Sequence, residues 1–275
     1  MYEQNNSKKI ESSDHKFKEF SYLIKSCKEC DGKGYKFAIV KDDKGLVIPN
    51  KSTVATECEC IKKAYLFAIY KDAHIPSEYW SLSIKSFFKK PENLEVRKIM
   101  EKIMLDIRAF HQSGLGLIFY GGPGTGKTLL SVEILKKMLR AEMSGDYLMF
   151  PSIMDAFAKR GYTADAEKEA YNEIFDKKEV LVIDEVGKES QLPNFGKTDI
   201  ARILEVNIIK KRSNKTTIFI SNIETMDDFR NQYGIYVDSV VKDKFKTINL
   251  VGTDFRNKGA VNQFFGSPEK EQDNG

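Results

Sequence analysis

The chain has 275 residues, of which 41% are hydrophobic and 31% charged, and its net charge is +4. This length suits one α/β core with a small accessory domain, and so mild a charge does not by itself indicate a nucleic-acid-binding protein. No apolar run reaches membrane-spanning length, and the polar residues 1–9 lack the apolar segment of a signal peptide. We therefore expect a cytosolic protein without membrane contact, whose four cysteines form no disulfides.

The first segment with a chemical signature is cysteine-rich. Residues 1–20, whose Asn, Ser, Lys and Glu content predicts a flexible leader, precede a C-x-x-C turn and a C-x-C return. The four cysteines are Cys27, Cys30, Cys58 and Cys60. Such pairs can close a tetrahedral site, and four thiolates leave no open position for catalysis. We predict a structural Zn²⁺ in a zinc-ribbon-like module over residues 21–71; four unrelated cysteines are the alternative.

The segments around these cysteines predict a hairpin and two helices. Residues 35–48 carry strand-forming residues on both sides of a turn at residues 42–45, which indicates a β-hairpin between the cysteine pairs. Residues 59–71 predict a helix leading away from the metal. After a junction at residues 72–92, residues 91–112 carry apolar side chains at helical spacing, so we expect a helix that packs on the coming sheet.

The stretch from residue 117 to residue 128 organises the rest of the chain. Four apolar residues run into a glycine-rich loop that ends in Lys127-Thr128, and an amphipathic run follows over residues 129–143. This strand, loop and helix fit the phosphate-binding motif G-x-x-x-x-G-K-[ST]. Glycines let backbone N–H groups approach phosphate oxygens, and the positive end of the helix adds favourable charge. An ordinary glycine-rich turn is the alternative.

The motif predicts an ATP site with Mg²⁺. Lys127 should reach the β- and γ-phosphates, and the Thr128 hydroxyl should ligate the Mg²⁺ ion. The loop residues expected at the nucleotide are Gly122, Pro123, Gly124, Thr125, Gly126, Lys127 and Thr128.

Two later strands end in polar residues. The apolar run 180–183 predicts a central strand buried on both faces, and it ends in Asp184 and Glu185. At that edge of an open α/β sheet, Asp184 should complete the Mg²⁺ shell and Glu185 should orient and polarise the attacking water. Asn222 follows the next apolar strand and is expected to contact the γ-phosphate or the water. The alternatives are solvated strand ends and an Asn that only forms a turn.

The remaining elements complete an α/β fold, a P-loop parallel sheet with flanking helices preceded by the small zinc-ribbon-like domain. They are a strand at 147–150, a helix opened by a capping box at Ser152 and Asp155, helices at 164–176, 198–211, 225–234 and 235–245, and a last strand at 247–251. We expect the nucleotide-binding domain to span residues 72–256 and residues 257–275 to form a flexible tail.

The assembled pattern resembles AAA+ ATPases of the DnaC/DnaI helicase-loader and IstB-like group. The stretches that carry the resemblance are residues 121–128, 181–187, 220–222 and 252–256, the approach segment A-x-I-P-x-x-Y at residues 73–79, and the cysteine-rich module. The resemblance implies an AAA+ fold, ATP hydrolysis and Lys127, Asp184, Glu185 and Asn222 as catalytic positions.

The chain departs from this group at one position. Members of the group usually carry a Ser/Asp-Arg pair in the helix after the Asn strand, interpreted as an arginine finger or phosphate sensor. Residues 235–246 contain no arginine. Lys242 and Lys244 are substitutes without the bidentate geometry of arginine. The other candidates are Arg212, Arg230 and Arg256.

The sequence thus predicts an ATP-dependent loader of a replicative hexameric DNA helicase. In this interpretation the zinc module binds the helicase, and the core binds ATP, Mg²⁺ and single-stranded DNA and forms an ATP-dependent homo-oligomer. Basic clusters at residues 210–215 and 242–246 either contact DNA phosphates or are solvated helix faces. Three other functions stay open: an IstB-like transposition ATPase on duplex DNA, a small-molecule P-loop kinase, and an adaptor that binds ATP without hydrolysing it.

Overall fold

The computed structural model describes residues 18–38, 54–84, 94–187 and 197–252. The chain divides into two compact units that separate between Ser81 and Leu82. In the described ranges, no helix is both long enough and apolar enough to span a membrane. The predicted hairpin turn at residues 42–45 and the finger candidate Arg256 lie outside these ranges.

In its described residues, the first unit consists of a two-stranded sheet, two helices and a 3₁₀ turn. Its elements are α1 (Ser21–Lys25), β1 (Tyr35–Ala38), β2 (Val54–Glu57), α2 (Glu59–Asp72) and a 3₁₀ turn (Ser77–Tyr79). Strand β1 pairs antiparallel with β2, with Tyr35 opposite Glu57. This pairing has a structural reason: β2 leads directly into Cys58, whose N–H donates to the Gly34 carbonyl at 2.8 Å, so the pairing joins the two cysteine segments.

An aromatic cluster fixes the segment that follows α2. The Trp80 ring lies 5.5 Å from the Phe20 ring and 5.2 Å from the Phe67 ring, measured between centroids. Its indole N–H donates to the Ile75 carbonyl at 2.8 Å. Since Ile75 is itself buried, the approach segment packs as part of the first unit.

The second unit is a five-stranded parallel sheet with helices. Its strands are β3 (Gly116–Tyr120), β4 (Gly145–Met149), β5 (Val180–Val186), β6 (Thr216–Ser221) and β7 (Phe245–Asn249), in the order β4-β5-β6-β3-β7. Its helices are α3 (Leu94–Leu105), α4 (Ile107–Gln112), α5 (Lys127–Arg140), α6 (Phe150–Ala158), α7 (Tyr162–Lys177), α8 (Lys197–Arg202) with a π-helical continuation (Ile203–Lys210), and α9 (Met226–Lys244). Every adjacent strand pair is parallel. The predicted α/β fold is confirmed.

The strand order puts the predicted site residues at one edge. The interior strand β5 is buried from Val180 to Ile183, as its unbroken apolar run predicts. The strand β6 lies between β3, which leads into the phosphate loop, and β5, which ends in the two acids. Because parallel strands end at the same edge, the phosphate loop, the acids and the end of β6 meet there.

Two helices start where the sequence pattern did not place them. The single helix predicted over residues 91–112 is broken at Asp106, whose carboxylate caps α4 by accepting from the Ala109 N–H at 2.9 Å. The helix predicted to open with a capping box at Ser152 starts instead at Phe150, with Pro151 in its first turn. Asp is a helix-capping residue, so it interrupts a run whose apolar spacing continues.

The last helix is two helices joined at a glycine. Thr225 and Asp228 form a capping box at the start of α9. Within α9, Gly234 has a φ of 87° and a ψ of 169°, so the helix axis breaks there, as the predicted division at residues 234–235 implies. The final strand, β7, begins at Phe245, two residues before the predicted start.

Candidate functional site

The phosphate loop joins β3 to α5 through left-handed glycines. Gly121, Gly124 and Gly126 have φ values of 121°, 74° and 96°. A Cβ atom added to Gly121 would come within 2.5 Å of the Leu250 carbonyl oxygen, so no larger residue fits there. Gly126 precedes α5 and supplies no side-chain cap, which keeps the first N–H groups of this 14-residue helix available to an anion.

Lys127 lies against this loop. Its side chain is buried, and its ammonium donates to the carbonyl oxygens of Gly121 at 2.7 Å and Gly122 at 2.6 Å. The Thr125 hydroxyl donates to the same Gly122 carbonyl at 2.8 Å. The lysine charge is therefore held next to the backbone that would surround a phosphate chain.

The Asp184 carboxylate accepts three hydrogen bonds. Its Oδ2 atom accepts from the Thr128 hydroxyl at 3.1 Å and from the Tyr147 phenol at 2.5 Å. Its Oδ1 atom accepts from the Glu185 N–H at 2.6 Å. Thr128 and Asp184, predicted from motifs far apart in the sequence, are thus direct neighbours. A hydroxyl and a carboxylate oxygen side by side fit the oxygen-ligand preference of Mg²⁺.

Glu185 has an unusual backbone. Its φ is 63°, in the left-handed region that non-glycine residues seldom adopt. The register between β5 and β6 shifts between Ile183 and Val186, so Glu185 lies in a bulge. Strain of this kind costs about 1–3 kcal/mol and concentrates at functional sites, and bulges re-aim side chains. The sequence gives no signal of the bulge, which arises from the pairing of two distant strands.

Hydrogen bonds connect the end of β6 and the residues after it to β5 and to the phosphate loop. The Ser221 hydroxyl donates to the Val186 carbonyl at 2.6 Å, and the Gly121 N–H donates to the Ile223 carbonyl at 3.1 Å. Asn222, between these two contacts, is exposed. In the described part of the chain, its side chain hydrogen-bonds to neither Lys127 nor Asp184, although all three lie at the same edge of the sheet.

The four cysteines converge in the first unit. Their sulfur atoms all lie within 4.8 Å of one another, with 3.8 Å between Cys27 and Cys58 and 3.6 Å between Cys30 and Cys60. A tetrahedral Zn²⁺ with Zn–S bonds of about 2.3 Å requires sulfurs about 3.8 Å apart. The Gly34 N–H donates to the Cys30 sulfur at 3.2 Å. Donor type and spacing therefore fit zinc.

The thiols differ in acidity. Burial raises the pKa of Cys30, but the Gly34 N–H and the neighbouring thiols outweigh that effect and lower the pKa to about 7. Burial and the other three cysteines raise the pKa of Cys60 to about 12. Because the thiolate is the metal ligand, binding of zinc here releases protons.

Arg212 is a structural residue. Its guanidinium is buried and donates to five oxygens: Phe175 O (2.8 Å), Lys178 O (2.8 Å), Glu179 O (3.3 Å), Thr216 O (3.0 Å) and Thr217 Oγ1 (2.9 Å). Burial lowers its pKa. A side chain so enclosed has no donor left for a neighbouring subunit, which excludes it as the arginine finger.

Most lysines of the two predicted basic clusters have partners. Lys210 pairs with Glu205 at 2.6 Å, Lys211 with Asp176 at 2.9 Å and Lys242 with Asp238 at 2.8 Å. These ion pairs favour the second interpretation of the clusters, solvated helix faces.

The structure also contains a basic surface that the sequence pattern did not predict. A cleft of about 420 Å³ opens between the end of α6, α7 and the start of the π-helical segment. Its lining includes Phe157, Lys159, Arg160, Lys168, Arg202 and Asn207, with one acid, Asp199. Lys159 pairs with Glu167 at 2.7 Å. Arg160 and Arg202 are exposed and have no acceptor among the described residues. Of these cations, only Lys159 and Arg160 are adjacent in the sequence. Lys168 and Arg202 lie further along the chain, so the sequence does not indicate that they join the same surface.

Comparisons with known proteins agree with the fold. The family model of IstB-like ATP binding protein matches residues 83–243, more than half of the chain. The crystal structure of the DnaC helicase loader is similar with a TM-score of 0.52 and 19% identity, covering 64% of this chain and 100% of that one. A search of the curated proteins gave no match.

Two further structures are similar at lower scores. The crystal structure of DnaI has a TM-score of 0.46 and 14% identity, covering 65% of this chain and 89% of that one. Domain III of the Thermotoga maritima replication initiation protein DnaA has a TM-score of 0.47 and 16% identity, covering 66% and 73%. At these identities, the DnaC likeness shows the fold alone.

Proposed function

Because the chain belongs to the family of IstB-like ATP binding proteins, we propose that it is an AAA+ ATPase that loads a replicative hexameric DNA helicase onto single-stranded DNA. The observation that carries the nucleotide part is the meeting of Thr128 with Asp184 at 3.1 Å beside Lys127. A phosphate cradle, a lysine and a hydroxyl–carboxylate pair are the groups that phosphoryl transfer requires. The helicase part rests on the cysteine-rich unit and on a fold shared with a DnaC helicase loader.

In this proposal the loop residues bind ATP, and Asp184 and Glu185 have different roles in its hydrolysis. Thr128 and Asp184 would hold Mg²⁺, which would neutralise phosphate charge. Glu185 accepts a proton from the attacking water, because only its backbone N–H, and not its carboxylate, takes part in the hydrogen bonds that fix Asp184. Asn222 orients that water or the γ-phosphate. The backbone N–H groups of residue 122 and residues 124–128 balance the remaining negative charge.

We assign DNA contact to the basic cleft. Arg160 and Arg202 offer two guanidiniums that have no acceptor in the described part of the chain, and Phe157 adds an aromatic side chain. Cations that follow a phosphate backbone together with aromatics that stack on bases are typical of single-strand binding. The expected readout is weaker binding of a fluorescent single-stranded oligonucleotide by Arg160→Ala and Arg202→Ala, with the already paired Lys210→Ala as the control.

We assign helicase contact to the zinc module, residues 21–71. Its strand β1 exposes Tyr35 (44%) and Phe37 (60%), and α1 exposes Tyr22 (55%). Aromatic side chains at a surface are common anchors of protein interfaces. Replacing Phe37 by Ala should weaken capture of the helicase from the native host and leave ATP binding unchanged. Leu105→Ala, which removes an exposed apolar side chain of the second unit, is the matched control.

A second candidate is a transposition ATPase that acts on duplex DNA, since the matched family is the IstB-like one. The cysteine-rich unit precedes the matched residues 83–243 and favours the loader, because a transposition ATPase needs no helicase-binding module. The two functions differ in their partners. A loader co-purifies with a hexameric helicase and prefers single strands, whereas ATP-dependent filaments on duplex DNA without a helicase would indicate transposition.

ATP turnover is the remaining test. The proposal requires hydrolysis that depends on Mg²⁺ and self-association that depends on ATP. Measured turnover also excludes the non-enzymatic adaptor. A small-molecule kinase would transfer phosphate to an acceptor other than water, so phosphate release without added acceptor argues against that function.

A further inference from the structure

Tyr147 contacts the proposed Mg²⁺ ligand Asp184 but belongs to no motif. It lies on β4, which carries none of the motif residues, and its hydroxyl lies 2.5 Å from Asp184 Oδ2. The other two donors to this carboxylate, Thr128 and the Glu185 N–H, come from the phosphate-loop helix and from β5 itself. The tyrosine is thus a third, independent support of the carboxylate.

The register of the sheet explains the contact. In the parallel pairing of β4 with β5, Tyr147 lies opposite Val182, and Met149 lies opposite Asp184. Alternate residues of a strand point to the same face, so Tyr147 and Asp184 share one face and lie diagonally across from each other. An aromatic side chain is long enough to span that diagonal. Tyr147 is only 7% exposed, so packing fixes its ring.

The chemistry of the pair shows that the tyrosine donates the hydrogen bond and the carboxylate accepts it. An ionised carboxylate only accepts hydrogen bonds, so the phenol is the donor. The donated bond fixes the rotation of the carboxylate and leaves other lone pairs of Asp184 free for a cation. Hydrogen-bond donors behind metal-ligating groups orient those ligands, and their loss typically costs about 10–100-fold in metal affinity.

We infer that Tyr147 is a positioning residue for Mg²⁺, which holds the Asp184 carboxylate in the orientation that binds the cation beside Thr128. The inference rests on the proposed nucleotide site. Tyr147 would touch neither the nucleotide nor the attacking water, so it acts only through Asp184.

The test separates nucleotide binding with Mg²⁺ from nucleotide binding without it. Tyr147→Phe keeps the ring and removes the hydroxyl. A fluorescent ATP analogue is titrated in saturating Mg²⁺, in EDTA, and at fixed nucleotide with increasing Mg²⁺. We expect the Mg²⁺ concentration at half-maximal binding to rise about tenfold, while the affinity in EDTA is unchanged. The control is Tyr171→Phe, which removes the hydroxyl of a partly buried tyrosine stacked on Phe175.

A second variant shows whether the effect passes through Asp184. In an Asp184→Asn background, Tyr147→Phe should cause no further loss of Mg²⁺ dependence, because the positioned group has lost its charge. An equal loss of affinity in Mg²⁺ and in EDTA would mean that the tyrosine only packs, and unchanged Mg²⁺ dependence would mean that it does nothing; either result overturns the inference. A parent protein that binds no nucleotide under either condition contradicts the proposed function as well.

Discussion

The carboxylate of Asp184 accepts the backbone N–H of its neighbour Glu185 at 2.6 Å, while Glu185 itself adopts a φ of 63°. These consecutive acids therefore occupy different environments. Asp184 is 8% exposed and held by three donors, whereas Glu185 lies in a bulge and is more accessible. The difference predicts different mutant phenotypes for two residues that a motif presents as a pair.

Replacement of Glu185 by Gln should leave ATP binding intact and reduce turnover by about 100-fold or more, because a general base contributes about 10²–10⁴ in rate. The measurement is phosphate release at saturating Mg²⁺·ATP, beside a binding titration. Glu224→Gln, an exposed acid just after β6, is the control. Turnover at the parent rate in Glu185→Gln would contradict the assignment of the base.

Replacement of Lys127 by Ala should weaken ATP binding by about 100-fold, since charged hydrogen bonds to phosphates contribute about 1.5–3 kcal/mol. The matched variant is Lys137→Ala on the same helix, α5, away from the loop. Calorimetric titration with a non-hydrolysable ATP analogue measures both. Equal affinities in the two variants would mean that the lysine does not contact the nucleotide.

The nucleotide half of the site was predictable because its signals are local. The residue types and spacings around Lys127 and Thr128 specify the loop, and an apolar run that ends in two acids specifies Asp184. Their contact across the sheet follows from parallel strand order. Tyr147 was not predictable, because nothing within a five-residue strand shows that one of its side chains spans a diagonal to the neighbouring strand.

Removal of one zinc ligand should release the metal and leave the second unit folded. In Cys27→Ser or Cys58→Ser, we expect less than one Zn²⁺ per chain by elemental analysis, because three thiolates do not close the tetrahedral site. The affinity for ATP should stay at the parent value, since the cysteines lie in the first unit. Absence of zinc from freshly purified parent protein would refute the metal assignment.

Replacement of Arg212 by Met should destabilise the second unit. The variant removes one donor from each of four buried or partly buried backbone carbonyls and from the Thr217 hydroxyl. The Glu179 carbonyl keeps the Thr216 N–H as a donor, and each buried group that is left unsatisfied costs about 1–3 kcal/mol. We expect the melting temperature to fall by several degrees, on the order of 5 °C or more. Exposed Arg230, replaced by Met, is the control. A variant that melts like the parent but loses ATP turnover would return Arg212 to the list of arginine fingers.

Arg212 also shows why some sequence predictions failed. It closes a Lys-Lys-Arg run at a helix end, and such runs are usually solvated. Only the fold shows that one of the three side chains turns inward to bind the carbonyls of another segment. The pairing of β1 with β2 is a similar case, because it joins the two cysteine segments and no local signal indicates it. Long-range constraints of this kind leave no periodic pattern.

The close contact between Leu250 and Gly121 has a consequence for nucleotide binding during synthesis of the chain. The Leu250 N–H donates to the Tyr120 carbonyl at 2.8 Å, and the Leu250 oxygen fills the space that a side chain at Gly121 would need. The other support of the loop, the Ile223 carbonyl, is also distant in the chain. During synthesis, a ribosome that has completed α9 has produced every phosphate-loop residue but not the strand that supports the loop. We therefore expect nucleotide binding to require that β7 and Leu250 have emerged, and ATP to stabilise chains whose synthesis has passed this point.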